Sequence, residues 1–176
     1  MGKTGSDQVH EATALFRDWD RSVRHLAATA VGKMGCGVAA DVLPLLEDAD
    51  HCVRDAAALA LGNMGGAVAF FLAAELRHSK SHAQMAAAVA LGHVGKDATQ
   101  AVLPLLADAE SSVRAAAARA LGAIATSGGV EEVLDPLTAL VTDLSGVVRR
   151  AAEDSLVQAG APAVKPMVAM IQHPDP

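Results

Sequence analysis

The sequence predicts an all-α chain, an α-solenoid of about five stacked helix pairs with a terminal helix, and three observations carry that prediction. A block repeats: Ser22-Val23-Arg24-His25-Leu26-Ala27-Ala28 returns 30 residues later as Cys52-Val53-Arg54-Asp55-Ala56-Ala57-Ala58. His82-Ala83-Gln84-Met85-Ala86-Ala87-Ala88 and Ser112-Val113-Arg114-Ala115-Ala116-Ala117-Ala118 keep the same spacing, and Val147-Val148-Arg149-Arg150-Ala151-Ala152 adds a fifth copy after a gap of 35. Glycine recurs in phase at Gly32, Gly62, Gly92 and Gly122, until Val157 breaks the series. Of the 176 residues 39 are Ala and only 2% are aromatic, a composition that suits closely packed helices and not sheets.

The elements follow in order as an alternation of two segment types. Type A helices are expected near 7–17, 38–47, 67–77, 97–107, 129–142 and 162–172, and type B helices near 20–34, 51–64, 81–94, 111–125 and 145–159. In the second B segment Val53, Ala57, Ala60, Leu61 and Met64 lie on one helical face; Ala83, Ala87, Ala90, Leu91 and Val94 repeat it, as do Val113, Ala117, Ala120, Leu121 and Ile124. A glycine inside each B helix costs about 1 kcal/mol relative to Ala, so its recurrence points to close helix packing there. Turns are expected at Gly35, Gly65 and Gly95. The A segments are short and apolar, and Pro44, Pro104 and Pro136 should bend or start them locally. Phe70 and Phe71, in the third A segment, are expected in the core and in packing between repeats. Neither segment type can bury both of its faces within one pair, so the pairs must stack.

The pattern Asp-x-x-x-x-Val-Arg-x-x-Ala-Ala-x-Ala-Leu-Gly-x-Ile-Gly, carried by Asp48, Val53, Arg54, Ala56, Ala57, Leu59, Leu61, Gly62, Met64 and Gly65, resembles the short HEAT-like repeat of the phycobilin-lyase type. The resemblance runs through nearly the whole chain and implies a right-handed α–α superhelix, armadillo-like, with residues 1–176 forming a single array. It implies a non-enzymatic scaffold that binds a protein partner; the alternative is a subunit of a bilin-chromophore lyase or a related chaperone-like assembly factor. It also implies that Asp18, Asp48, Asp108 and Asp143 pair with Arg24, Arg54, Arg114 and Arg149 between neighbouring repeats. The third repeat breaks this ladder, with His78 for the acid and Gln84 for the arginine. Either this repeat has drifted as a pair or it holds a local binding site or hinge.

Several chemistries are disfavoured. The net charge of −6 and the scarcity of aromatic side chains argue against nucleic acid, whose phosphates need clustered Lys and Arg. The enzyme on this scaffold with a readable code, deoxyhypusine hydroxylase, follows the Val-Arg position with His-Glu pairs that hold iron. Here those positions read His25-Leu26, Asp55-Ala56, Met85-Ala86, Ala115-Ala116 and Arg150-Ala151, so that activity is not expected. His78 and His82 stand four apart across an expected turn, with His51 and His93 elsewhere in the array, and no convergent donor set is legible. No cofactor, metal or catalytic residue is therefore predicted. Cys52 is read as an exposed thiol on a B helix. No apolar stretch approaches the roughly 20 residues of a membrane span, so stable membrane insertion is not expected and a cytoplasmic location is the default. Gly2 and Ser6 fit a myristoylation pattern that lacks a second membrane signal.

The partner surface is expected on the concave B-helix face. One row reads His25, Asp55, Met85, Ala115, Arg150; the next Thr29, Leu59, Val89, Arg119, Asp154; the third Lys33, Asn63, His93, Ala123, Gln158. Leu59, Met85 and Val89 form an apolar centre between charged ends, as partner-binding surfaces do. The chain ends where a further B helix should begin. The expected last helix, with Val164, Met167, Val168 and Ile171, reads as the sign of a longer array, as a cap, or as a means of self-association.

Overall fold

The computed structural model describes residues 5–77 and 81–160. Among the described residues ten α-helices run in chain order: α1 (Gly5–Ala14), α2 (Arg21–Lys33), α3 (Ala39–Val42), α4 (His51–Asn63), α5 (Ala69–Glu75), α6 (Ser81–Val94), α7 (Thr99–Val102), α8 (Ser111–Thr126), α9 (Val130–Ala139) and α10 (Gly146–Ala159). The long even-numbered helices α2, α4, α6, α8 and α10 are the five B helices, each stacked on the next. The shorter odd-numbered helices are the A elements, and no strand occurs among the described residues. The chain is an all-α solenoid. The expected helix near 162–172, with the self-association read from it, lies outside the described residues, as do His78 and Gly2.

The A segments depart from continuous helices. Residues Leu43–Glu47 and Leu103–Ala107 are 3-10 turns that follow the single α-turns α3 and α7, with Pro44 and Pro104 at their starts. The α-helical ladder runs up to the Leu43 and Leu103 N–H groups, which reach the carbonyls of Ala39 and Thr99, and each proline breaks it by lacking the next N–H. Pro136, by contrast, sits inside α9, which runs on to Ala139.

The B helices bury the face that the spacing picks out. Val53, Ala57, Ala60 and Leu61 are inaccessible to solvent, as are Ala83, Ala87, Ala90 and Leu91. The in-phase glycines mark the helix crossings. A Cβ on Gly32 would stand 2.5 Å from the Cβ of Asn63, one on Gly92 would stand 2.6 Å from the Cβ of Ala123, and one on Gly62 would overlap the Cβ of His93. Each glycine thus cradles a side chain from the next repeat. At the helix ends Gly35, Gly65 and Gly95 take φ of 81°, 75° and 76°, the left-handed turn that only glycine adopts without cost.

The acid–arginine ladder is partly corrected. Each repeat aspartate first shapes its own A-to-B corner: Asp18 Oδ1 accepts from the Asp20 N–H at 2.8 Å, and Asp48, Asp108 and Asp143 do the same two residues on. Each repeat arginine pins that corner from inside, Arg54 Nη1 donating to the carbonyl oxygens of Asp48 and Ala49 at 2.7 and 2.9 Å. Arg24, Arg114 and Arg149 repeat this clamp. Between repeats, Arg114 meets Asp143 as expected, through two hydrogen bonds of 2.8 and 2.9 Å. Asp48 and Asp108, however, are met by Arg17 and Arg77 from the ends of the A segments. In the third repeat Gln84 is buried and its Nε2 donates to the Leu76 carbonyl at 3.0 Å, so an amide replaces the arginine clamp.

The ion pairs give the fold an acid limit. Hydrogen bonds from the Arg114 guanidinium hold the Asp143 carboxyl below the usual carboxylate range, against desolvation, with the Ser145 N–H adding to the effect. Asp108 is lowered first by the Glu110 N–H and then by Arg77. A carboxyl lowered in the folded state contributes stability that is present above its unfolded value, about 3.9, and is lost as pH falls through the folded value. We therefore expect the urea midpoint to fall below about pH 4, and Asp143→Asn to flatten that limb. An unchanged acid limb in the variant would remove this pair from the account.

Candidate functional site

The predicted surface residues lie on the B helices and none is buried. His25, Asp55, Asn63, Met85, Val89, His93, Arg119, Arg150 and Asp154 are exposed, while Thr29 and Leu59 are half-buried. Two other members of the predicted rows turn inward: Ala115 is buried, and Ala123 is half-buried because it seats in the cradle of Gly92. The apolar centre is present, with Met85 and Val89 55% and 40% exposed on α6.

Three clefts divide this surface. The first, about 410 Å³, opens across α2, α4 and α6, and brings together the predicted residues His25, Asp55, Leu59 and His93. The second, about 310 Å³, lies between α4 and α6 and joins Asp55 to Met85 and Val89. The third, about 100 Å³, joins Met85 to Arg119 on α8. Thr29, Asn63, Arg150 and Asp154 lie outside these clefts. Electrostatically the first cleft is mixed. Although its side chain reaches solvent, partial desolvation against the cleft wall lowers the pKa of His93, which favours the neutral ring, and the nearby Asp55 carboxylate opposes that shift.

Sequence reasoning missed part of this cleft. Arg21, His51 and Cys52 line it too, and Cys52 is half-buried rather than exposed. The reading that no metal donors converge is also revised: one donor atom from each of Asp50, His51 and Cys52 lies within 4.8 Å of the others. These residues are consecutive, so a search at helical spacing passes over them. The phenylalanines need correction as well. Phe70 and Phe71 are 70% and 58% exposed, because Ala69, Leu72, Ala73 and Leu76 supply the buried face of α5 at i, i+3, i+4 and i+7. Periodicity in that segment could have placed them outside. Trp19, in the first corner, is also exposed. Among the described residues no single helix is long and apolar enough to cross a membrane.

Stacked helix pairs with an exposed ridge of B-helix side chains define a helical-repeat scaffold. The family model described as HEAT repeats matches residues 12–73 and 68–157, and the chain belongs to that family. Nothing among curated proteins matches it. Among solved structures it is similar to the complex of CpcE and CpcF of phycocyanin lyase from Nostoc sp. PCC7120, at 18% identity and a TM-score of 0.50, covering 85% of this chain and 98% of that one. It is also similar to the archaeal HEAT-like repeats protein from Thermococcus onnurineus NA1, at 16% identity and a TM-score of 0.42, covering 88% of this chain and 71% of that one. The likeness to the first of these, at 18% identity, shows the fold alone.

Proposed function

We propose that this chain is a non-enzymatic scaffold that binds a protein partner on the B-helix face of α4, α6 and α8. One observation carries the reading: Met85 and Val89 stand exposed on α6 between the charged side chains of Asp55 and Arg119. An apolar centre inside a polar rim is the composition of a partner surface. The helices are already held by the stacked core, so little ordering opposes association. The lyase-subunit alternative rests on the resemblance alone, since a fold likeness at 18% identity carries no activity across.

The test uses the whole chain as bait. Met85→Glu and Val89→Glu should each weaken capture of the partner by about 30-fold or more, the loss of a hot-spot contact of about 2 kcal/mol. Phe71→Ser, on α5, should leave capture unchanged. Equal loss in all three variants, or in none, would take the partner off this face.

A further inference from the structure

Charge is divided between the two layers of this acidic chain. The five B helices hold eight of its 14 Lys and Arg residues but three of its 20 Asp and Glu residues. The other acids among the described residues lie on the A segments, the turns and the corners. The layer that exposes Met85 and Val89 is thus the basic one in a chain of net charge −6.

Half of these cations serve the fold. Arg24, Arg54, Arg114 and Arg149 are the corner clamps, each donating to backbone carbonyl oxygens. The other half, Arg21, Lys33, Arg119 and Arg150, are exposed, and among the described residues none of them meets a carboxylate in an ion pair. The acids of this layer are Asp55, Glu153 and Asp154. Two of them stand on α10, so Asp55 is the one carboxylate carried by α2 to α8.

The clefts place these groups in a line. Arg21 lines the first cleft beside His25 and His51, and Asp55 joins it to the second, where Met85 and Val89 stand. Met85 then leads to Arg119 in the third. An apolar centre therefore has a guanidinium on either side. In about 0.1 M salt charges are screened over about 10 Å, close to one helix spacing of about 8–10 Å. A ligand on this ridge feels the cations it touches more strongly than the acids of the layer behind.

We propose that the partner segment seated on this face is acidic: a peptide with an apolar side chain over Met85 and Val89 and carboxylates toward Arg119 on one side and Arg21 on the other. This rests on the scaffold reading and adds the chemistry of the partner to it. Asp55 repels a carboxylate placed directly between the apolar anchor and Arg21, so it selects a neutral residue there.

Two fluorescent peptides of about nine residues, long enough to cross three helix spacings at about 3.3 Å per residue, are the probes. They share a leucine centre and carry glutamate flanks in one and lysine flanks in the other. Anisotropy titrations with the full chain at low salt should show the glutamate peptide binding at least about tenfold more tightly, although the net charge alone favours the lysine peptide. The advantage should vanish at about 1 M salt, where screening acts within about 3 Å. Arg21→Gln and Arg119→Gln should each weaken the glutamate peptide about 2–5-fold, and Asp55→Asn should strengthen it by a similar factor. Lys96→Gln, an exposed cation outside the B helices, should change nothing. Equal or tighter binding of the lysine peptide, no saturation by either peptide, or indifference to both arginines would each overturn the acidic partner. Displacement of the glutamate peptide by a thymidine oligonucleotide of equal charge would overturn it in favour of nucleic acid. A lysine peptide that binds more tightly and is lost with Val89→Glu would leave the face standing and remove only its charge preference, whereas the capture test above decides the scaffold reading by itself.

Discussion

Gly92→Ala destabilises the protein, although in an isolated helix the same exchange stabilises by about 1 kcal/mol. The reversal comes from the helix crossing. A Cβ on Gly92 falls 2.6 Å from the Cβ of Ala123 and 3.2 Å from its carbonyl carbon and oxygen. No flexible side-chain end is available to move aside, so α6 and α8 must separate. Overpacking of this kind costs about 1–3 kcal/mol and outweighs the gain in helix propensity. The separation also reaches beyond one contact, since Ala87, Ala90 and Leu91 on α6 are fully buried and lose contacts as the gap opens. Gly37→Ala is the control, for nothing lies within 4 Å of its Cβ position and its φ is not positive. The urea midpoint should fall for Gly92→Ala and stay level for Gly37→Ala. A Gly92→Ala chain as stable as the parent would mean that the helices do not cross at this glycine.

That glycine shows why so much of the fold is legible in the sequence. A repeat unit writes the same packing rule several times, so Gly32, Gly62 and Gly92 disclose a crossing that one copy alone would hide. The same redundancy fixed the limits of α4 and α6 to within a residue of those expected. What repetition does not write stayed hidden. Arg17 and Arg77 reach Asp48 and Asp108, yet the corresponding positions elsewhere hold Glu47, Ala107 and Thr142, so no pattern announces those partners. The donor cluster of Asp50, His51 and Cys52 arises from adjacent side chains at a helix start, where spacing rules for helix faces are silent. Phe70 and Phe71 were misplaced by size: large aromatic residues suggest a core, but the small Ala69 and Ala73 hold the buried positions beside Leu72 and Leu76.

Leu91→Ala should be the most damaging single truncation in the array, because of where it falls. Leu91 is fully buried on α6, which packs against α4 on one side and α8 on the other. Removing such a side chain costs about 2–5 kcal/mol. In a stacked array, stability is a sum of repeat terms and nearest-neighbour interface terms, so one weak central repeat divides the array where a weak terminal repeat only frays it. The third repeat is also held differently from its neighbours, since Gln84 donates to the Leu76 carbonyl where Arg54 and Arg114 clamp the corner carbonyl oxygens. Leu91→Ala should therefore both lower the urea midpoint and spread unfolding over two transitions, with amides of α6 losing most hydrogen-exchange protection. Leu156→Ala, an equally buried leucine on α10, should give a similar loss within that helix while α4 and α6 keep their protection. Uniform loss of protection along the array in Leu91→Ala would show that the five B helices unfold as one unit, and that the third repeat is no weak point.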